Sequence, residues 1–416
     1  MAALDIVLFI TYFILVFLAM FWMIVLFTRD QSKKEELGYD PMFSVIVPAF
    51  NEEDSIKGTL QSLVDLDYPK NKKEIIVVND GSKDGTQEIV ERFISANASD
   101  NIRLLNQENQ GKGKAMNNAL ELVSGEFFAC LDADSFIKPD ALKFMLPYFS
   151  DEKVAAVCPL LKVKKPENIL QKVQWYEYII NMFYKHLNAK LDCIHVTPGP
   201  FSVFRTKVIK DLGGYDEETI TEDLEIAIRL QKHHYKLMQD FDAVVETVAP
   251  KTWKTLFKQR TRWYKGSVDN TVAYKEMMFN KKYGDFGYVR MPTIILSGII
   301  AVILVGFLAH SLGKQLYFSF LSLKAINFDF ITLVKNYSFG FNFLNLPFFK
   351  LFIAGTLISI SIFVMFYSYK LVKEKLTRYG KTWLSMITYL LLYSLFLTTV
   401  WVYIGYMFVR KKKNSW

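Results

Sequence analysis

Two carboxylates separated by a single residue, Asp132 and Asp134, are well suited to bind a metal ion. They follow the apolar run 127–131, which is long enough for one buried strand. In an open α/β sheet, ligands bind beyond the carboxyl ends of the strands. Hard oxygen ligands in that place favour Mg²⁺ or Mn²⁺ shared with substrate phosphates. A solvated turn is the competing interpretation of an isolated Asp-x-Asp pair, so the neighbouring motifs decide.

Two further polar clusters also follow predicted strands. Asp80 stands before Gly81 at the end of the apolar run 74–79, where it can accept a hydrogen bond from a ribose hydroxyl or a base. A turn-forming Asp-Gly pair is the alternative. Lys112 and Lys114 alternate with glycines at a predicted helix start, where charge and backbone N–H groups can meet a diphosphate. A flexible basic loop is the alternative, and the absence of a Walker motif argues against a phosphate-cleaving NTPase.

A carboxylate that can act as a general base is Asp223, in the run 221–225. Deprotonating an acceptor hydroxyl requires such a carboxylate close to the hydroxyl. The competing interpretation is structural, because Thr221 is a good helix N-cap and acidic residues in a first turn complement the helix dipole. The five histidines show no metal or triad spacing and are interpreted as structural.

The segment 253–266 alternates basic and aromatic residues and contains Gln259, Arg262 and Trp263. This pattern predicts an amphipathic helix at a membrane interface, and membrane contact alone would explain most of its residues, Arg260 included. An indole can also stack on a sugar ring, and an arginine can hold a diphosphate with two parallel hydrogen bonds.

Through the middle of the chain, which contains these residues, apolar runs alternate with amphipathic helical patterns. The predicted strands are 43–48, 74–79, 102–105 and 126–131, and the predicted helices are 60–64, 87–94, 115–123 and 221–231. This alternation predicts a mainly parallel sheet with crossover helices. The polar clusters at successive strand ends then share one edge of the sheet.

The two ends of the 416-residue chain are apolar enough to enter a membrane. Roughly 20 apolar residues span a bilayer as a helix. The sequence predicts four such spans, at 4–27, 291–310, 351–369 and 383–409. The aromatic stretch 316–349 is interpreted as an external or interfacial loop.

Charge distribution predicts which way the protein faces. A signal peptide has basic residues before its apolar segment, whereas the first apolar segment here has no Lys or Arg before it. Instead, Arg29, Lys33 and Lys34 follow the segment. By the positive-inside rule the central domain faces the cytoplasm. Four spans place the C-terminus outside; the linker 370–381 agrees with this and the basic tail 410–413 does not.

The formal charge of +8 indicates a membrane surface and an anionic ligand, and no nucleic-acid-binding motif is present. The three cysteines, Cys130, Cys158 and Cys193, fit neither a disulfide framework nor a zinc site. Their spacing agrees with a reducing compartment.

Taken in order, the motifs resemble those of the inverting, processive membrane glycosyltransferases of family 2, which include the cellulose, chitin, hyaluronan and poly-N-acetylglucosamine synthases. The matching segments, in chain order, are 47–52, 78–82, 132–134, 197–205, 221–223 and 259–263. The second departs from the family pattern, because Asn79 replaces the first acid of Asp-Asp-Gly-Ser.

The resemblance implies an α/β GT-A domain, Rossmann-like and mainly parallel, accompanied by transmembrane and interfacial helices. It also implies a single in-line displacement on a UDP-sugar, UDP-GlcNAc or UDP-Glc, with Mg²⁺ or Mn²⁺ stabilising the departing diphosphate. Carried over residue by residue, it makes Asp223 the base, Asp134 and Asp132 the metal ligands, Glu222, Gly199, Pro200 and Trp263 acceptor-binding residues, and Pro48, Phe50, Glu52, Asp80, Lys112, Asp132, Gln259 and Arg262 donor-binding residues.

We therefore expect four regions: an N-terminal transmembrane helix (1–30), a GT-A domain (40–250), amphipathic interface helices (251–285) and a C-terminal membrane region (288–416). The expected acceptor is a growing β-linked polysaccharide that the membrane helices can export. A non-processive transferase acting on a membrane lipid is the first alternative. A membrane subunit that binds nucleotide-sugar without turnover is the second, and Asp132, Asp134 and Asp223 argue against it.

Overall fold

The structure, a computed structural model, describes residues 3–28, 34–335, 347–376, 378–380 and 383–410. Strands and helices alternate through its central part, and long helices stand at both ends. The strands are β1 (Phe43–Ala49), β2 (Lys73–Asp80), β3 (Ile102–Gln107), β4 (Phe127–Cys130), β5 (Ser135–Ile137), β6 (Val154–Val163), β7 (Val203–Arg205) and β8 (Lys236–Thr247).

The helices of the central part connect these strands or flank them. They are α2 (Ile56–Val64), α3 (Thr86–Ala96), α4 (Lys112–Leu122), α5 (Ala141–Met145), α6 (Ile169–Lys190), α7 (Thr206–Asp211), α8 (Glu222–Lys232) and α9 (Trp253–Ala273). The terminal helices are α1 (Ala3–Leu26), α10 (Met291–Ala325), α11 (Phe330–Lys335), α12 (Phe348–Leu371), α13 (Trp383–Thr388) and α14 (Ser394–Val409).

All eight strands form one sheet in the order β3-β2-β1-β4-β7-β6-β8-β5. The first four are parallel, as the alternating pattern predicts. Beyond β4 the sheet is mixed, because β7 runs antiparallel to both β4 and β6, and β5 runs antiparallel to β8. The expectation of a mainly parallel sheet is therefore right for the half that carries the first motifs and incomplete for the other half.

Alternating side chains of the parallel strands fill two separate cores. On β1, Val45 and Val47 pack with α2 and α5 on one face, whereas Ile46 packs with α4 and α8 on the other. All three side chains are fully buried, which explains why these strands are continuous apolar runs. With both faces covered, ligands can approach the parallel strands only at their ends.

Four helical segments of the described chain are long and apolar enough to cross a membrane: Ile6–Leu26, Phe286–Ala325, Phe348–Leu371 and Leu384–Val409. The number of such helices in the described residues agrees with the four predicted spans in length and composition. The prediction of a loop starting at Leu316 is wrong for its first part, because α10 continues without a break to Ala325. Residues 336–346 of that predicted loop, and 411–413 of the basic tail, lie outside the described residues.

The sheet domain and the apolar helices are joined by polar contacts as well as by packing. Lys190, at the end of α6, donates hydrogen bonds to the carbonyl oxygens of Leu26 (3.0 Å) and Thr28 (2.6 Å). An ammonium group at this position satisfies carbonyls that a helix C-terminus leaves without partners. Helix α6 thereby fixes the end of α1 against the domain.

Candidate active site

The candidate site lies where β1, β2 and β4 end, and the loops after these strands hold one another in place. Asn51 has a positive φ of 55°, accepts from the backbone N–H of Lys83 (2.8 Å) and donates its own N–H to Ser82 Oγ (3.0 Å). The loop after β1 is thereby tied to the loop after β2. Phe50, predicted to bind donor, is exposed beside this junction, and Pro48 is paired within the sheet.

The carboxylate of Asp80 organises the next loop. Its two oxygens accept from Gln107 Nε2 (2.8 Å) and from the backbone N–H groups of Gln110 (2.9 Å) and Gly111 (3.0 Å). Gly111 has a φ of 91°, a region that favours glycine. Asp80 therefore fixes the turn that leads directly into Lys112.

Lys112 joins two of the sequence motifs. Its Nζ lies 2.7 Å from Asp132 Oδ1 and 2.9 Å from Glu222 Oε1, so one ammonium group bridges the end of β4 and the first turn of α8. Burial disfavours the charged amine, but the two carboxylates outweigh it and raise the pKa of Lys112 well above its ordinary value. Glu222, predicted to bind acceptor, is held by this bridge. Gly199 lies at the same place, because a Cβ there would be 3.2 Å from both Lys112 Nζ and Asp132 Oδ2.

The second carboxylate of the predicted metal pair lies in a crowded acidic environment. Burial, followed by the charges of Asp132 and Glu52, raises the pKa of Asp134 to about 6. Burial also raises the pKa of Glu52, which accepts a hydrogen bond from Ser55 Oγ. In the described part of the chain, no three His, Cys, Asp or Glu side chains converge as a metal-binding group. The structure thus offers a pair of hard oxygen donors rather than a closed site.

The predicted base stands on the other side of the Lys112 bridge. Burial and the neighbouring Glu222 charge raise the pKa of Asp223 to about 6, although Lys112 and Arg262 act in the opposite direction. Its backbone carbonyl accepts from both the N–H (3.1 Å) and the Oγ1 (2.8 Å) of Thr197. Thr197 therefore holds the first turn of α8 against the 197–200 segment, which contains Gly199 and the buried Pro200.

Helix α9 packs directly on the base motif. A Cβ at Gly266 would lie 2.2 Å from Thr221 Oγ1, so the two elements touch with no room for a side chain. Asn270, one turn further, donates to the same Oγ1 at 3.1 Å. Thr221 stands at the N-cap position of α8, as predicted, and its carbonyl accepts from the N–H groups of Leu224 and Glu225, but its side chain makes no cap hydrogen bond within α8. The hydroxyl binds α9 instead.

One buried ion pair ties α9 to the rest of the protein. Arg260 is fully buried and bonds to both carboxylate oxygens of Glu177 on α6, and Tyr393 donates to Glu177 Oε2 at 2.8 Å. The interpretation of Arg260 as a membrane-contacting residue is therefore wrong. Its guanidinium also lies 4.2 Å from the ring centroid of Trp263 and covers one face of the indole.

The remaining predicted residues of α9 lie in different surroundings. Gln259 accepts a hydrogen bond from Arg260, and Arg262 is exposed, with its charge acting on Glu222 and Asp223. Sequence reasoning did not single out Glu177, Gly266, Asn270 or Tyr393. Gly266 carries the one available signal, a glycine inside an otherwise regular helix, which marks a close approach.

The sheet, the acidic pair beyond its strands and the carboxylates at the start of α8 are the features of a GT-A glycosyltransferase domain. A model of the family described as "Glycosyl transferase family 2" matches residues 44–213. The chain is 30% identical over 294 residues to the poly-beta-1,6-N-acetyl-D-glucosamine synthase of Staphylococcus aureus (strain MSSA476), covering 68% of each protein. The Staphylococcus epidermidis synthase of the same name is 33% identical over 244 residues, or 58% of each. The chain belongs to glycosyl transferase family 2. It is a glycosyltransferase that resembles the polysaccharide synthases of this family.

A solved structure confirms the fold independently. The mannosyltransferase PcManGT from Pyrobaculum calidifontis, in complex with GDP-Man and Mn²⁺, superposes with a TM-score of 0.60 over 86% of this chain and 97% of its own. The two sequences are 21% identical, so the likeness shows the fold alone.

Gly266→Ala tests the contact between α9 and the base motif. The added Cβ has no space beside Thr221, so α9 must move away from Asp223, and a displacement of this kind is expected to lower the transfer rate by about 10- to 100-fold. Ser267→Ala, at the next position, is the control and is expected to retain activity. Initial rates of nucleotide release would be compared at saturating donor. Equal rates for the two variants would contradict the importance of this contact.

Proposed function

We propose that this chain transfers N-acetylglucosamine from UDP-N-acetylglucosamine to the end of a growing β-linked polysaccharide. The observation that carries the proposal is the position of α9. This helix, with Gln259, Arg262 and Trp263, packs on the base motif through Gly266 and on the membrane helix α14 through Tyr264, which stacks on Trp401 at 5.1 Å. We therefore assign the acceptor end of the site to the side that faces the apolar helices. Similarity to the poly-beta-1,6-N-acetyl-D-glucosamine synthases supports the sugar and the product.

In the proposed reaction, Asp223 takes the proton of an acceptor hydroxyl. The oxygen attacks the anomeric carbon as the bond to the UDP oxygen breaks, and UDP leaves with the bonding electrons. Attack opposite the leaving group inverts the configuration and gives a β-linkage from an α-linked donor. A base with a pKa of about 6 is ionised at neutral pH and still accepts a proton in the transition state.

On the donor side, we assign nucleotide binding to the loops held by Asn51 and Asp80, and the diphosphate to Lys112 and Arg262. Asp132 and Asp134 suit a divalent cation, because crowded carboxylates destabilise one another until a cation neutralises them. Bound Mg²⁺ or Mn²⁺ would supply charge stabilisation for the departing diphosphate. Mn²⁺ in the PcManGT complex supports a divalent ion on this fold.

We place the catalytic domain on the cytoplasmic side of a cell membrane crossed by four helices. Support comes from the four apolar helices and from the basic residues that follow the first of them. UDP-sugars and divalent cations are then available to the site, and the product faces the membrane helices.

Asp134→Asn tests the metal site. An amide cannot replace the charge of the carboxylate, so we expect loss of Mn²⁺ binding, measured by the electron paramagnetic resonance signal of free Mn²⁺, together with loss of transfer. Asp140→Asn removes an exposed carboxylate nearby in sequence and should change neither. Full turnover of the wild type in EDTA would contradict metal dependence.

Asp223→Asn tests the base. Donor affinity should stay within a few-fold, while transfer falls by at least about 100-fold. Glu222→Gln should be milder, because its amide oxygen can still accept from Lys112. For the wild type, kcat/KM should fall as the pH drops below about 6, since Asp223 must be ionised to act. A dead Glu222→Gln beside an active Asp223→Asn would show that the base had been assigned wrongly.

The products of the wild type test the proposed function itself. Mass spectrometry of the material formed from UDP-N-acetylglucosamine should show a polymer series. Trp263→Ala should shorten or abolish it with donor affinity nearly unchanged, because the indole is assigned to the acceptor. Trp263→Phe should retain part of the length, and Trp253→Ala, which removes an exposed indole from the same helix, should retain all of it. A single sugar on an extractable lipid would instead establish the lipid-transferase alternative.

A further inference from the structure

A group of three basic side chains lies behind the acceptor side of the site, and we call Lys185, His195 and Arg290 the basic cluster. Arg290 Nη2 lies 2.5 Å from His195 Nε2. Lys185 Nζ and Arg290 Nε are both buried, and neither has a nitrogen or oxygen hydrogen-bond partner among the described residues; the weakly polar Cys158 thiol lies beside Lys185. Lys185 lies on α6, His195 lies in the segment leading to Thr197, and Arg290 ends the helical segment Phe286–Arg290 that continues into α10.

The charge of the basic cluster is not balanced by a neighbouring acid. Among the described residues, no carboxylate forms an ion pair with Lys185 or Arg290, and Asp223 acts on Lys185 only through a longer-range interaction. Burial and the two neighbouring cations hold the pKa of His195 well below its ordinary value, so its neutral ring accepts from Arg290. An arginine cannot escape burial by losing its proton. Buried cations of this kind are normally paired or bound to an anion.

The basic cluster adjoins the acceptor side of the site rather than the donor side. The Cys158 thiol lies beside Lys185 and reaches the carbonyl of Val196 at 4.0 Å. The next residue, Thr197, makes two hydrogen bonds to the Asp223 carbonyl. Only the segment that contains Val196 and Thr197 would therefore separate a ligand at the basic cluster from Asp223.

The basic cluster also lies at the level where the apolar helices leave the domain. Arg290 immediately precedes α10, and α6 packs through Phe183 and Leu187, on either side of Lys185, against Val25 of α1 and Val364 of α12. Lipid phosphates occupy this depth, between the aqueous domain and the hydrocarbon. A guanidinium fork beside an ammonium group matches the oxygens of a phosphate in both geometry and charge.

We propose that Lys185 and Arg290 bind the phosphate group of an anionic membrane lipid beside the acceptor side of the active site. His195 orients the guanidinium through its neutral ring. The inference deepens the proposed function and rests on it only for the identity of the acceptor side. The presence of a phosphate-binding group at this place is independent of which sugar is transferred.

The test uses the full chain in nanodiscs of phosphatidylcholine containing increasing fractions of phosphatidic acid, whose phosphate monoester is the probe. Native mass spectrometry would count retained phosphatidic acid. Lys185→Gln with Arg290→Gln should weaken retention at least about tenfold, since each charge-assisted hydrogen bond contributes on that scale. Arg290→Lys, which keeps the charge but not the fork, should lose less. Lys282→Gln removes an exposed charge from the neighbouring segment and should retain the lipid like the wild type.

Equal retention by the double variant and by Lys282→Gln would overturn the inference, with thermal unfolding of both variants showing that they are folded. Displacement of phosphatidic acid by an equal concentration of inorganic phosphate would show that the basic cluster binds a free anion. That result would overturn the proposal of a lipid phosphate. Retention of phosphatidic acid is measured without sugar transfer. Failure of the proposed polymerase function would therefore not change the lipid result, and loss of lipid binding would not contradict the polymerase function.

Discussion

The arrangement of the active site depends on the ammonium group of Lys112. Asp132, Glu222 and Asp223 would repel one another across the space between β4 and α8 without a cation between them. Lys112 reaches that place because Gly111 adopts a positive φ, and Gly111 does so while its N–H is bound to Asp80. A carboxylate at the end of β2 thus determines the position of a cation at the end of β4. Loss of Asp80 would therefore disturb the ion pairs that Lys112 makes with Asp132 and Glu222.

The parallel half of the fold is accessible from sequence because three of its strands, β1, β2 and β4, are buried on both faces. Such strands are uninterrupted apolar runs, and the polar residues that follow them mark one edge of the sheet. The mixed half beyond β4 is not accessible in this way. Strands β5 and β7 have three residues each, too few to show a period, and they pair with partners far along the chain. Only long-range packing determines their place.

The site shows the same division between local and long-range information. Asp132, Asp134 and Asp223 can be found from local spacing, since each follows a recognisable start or end of an element. The pair of Glu177 and Arg260 cannot, because its members are 83 positions apart and each resembles an ordinary surface charge on an amphipathic helix. The length of α10 differs from the prediction for a local reason, because Lys324 and the polar residues after it make the segment a poor membrane span without preventing a helix up to Ala325.

Arg260 and Arg290 are two arginines with buried side-chain atoms, and they differ in whether a carboxylate neutralises their charge. Arg260 is matched by Glu177 and Tyr393, so its burial fixes α6, α9 and the last apolar helix in one arrangement and holds the indole of Trp263 from one side. A matched pair needs no ligand, and removing one partner leaves an uncompensated charge. Arg290, by contrast, forms no ion pair with a carboxylate of the described residues, and its side chain contacts the neutral ring of His195. A buried arginine is therefore structural where a carboxylate faces it, and it remains available to a ligand where no carboxylate of the described residues does.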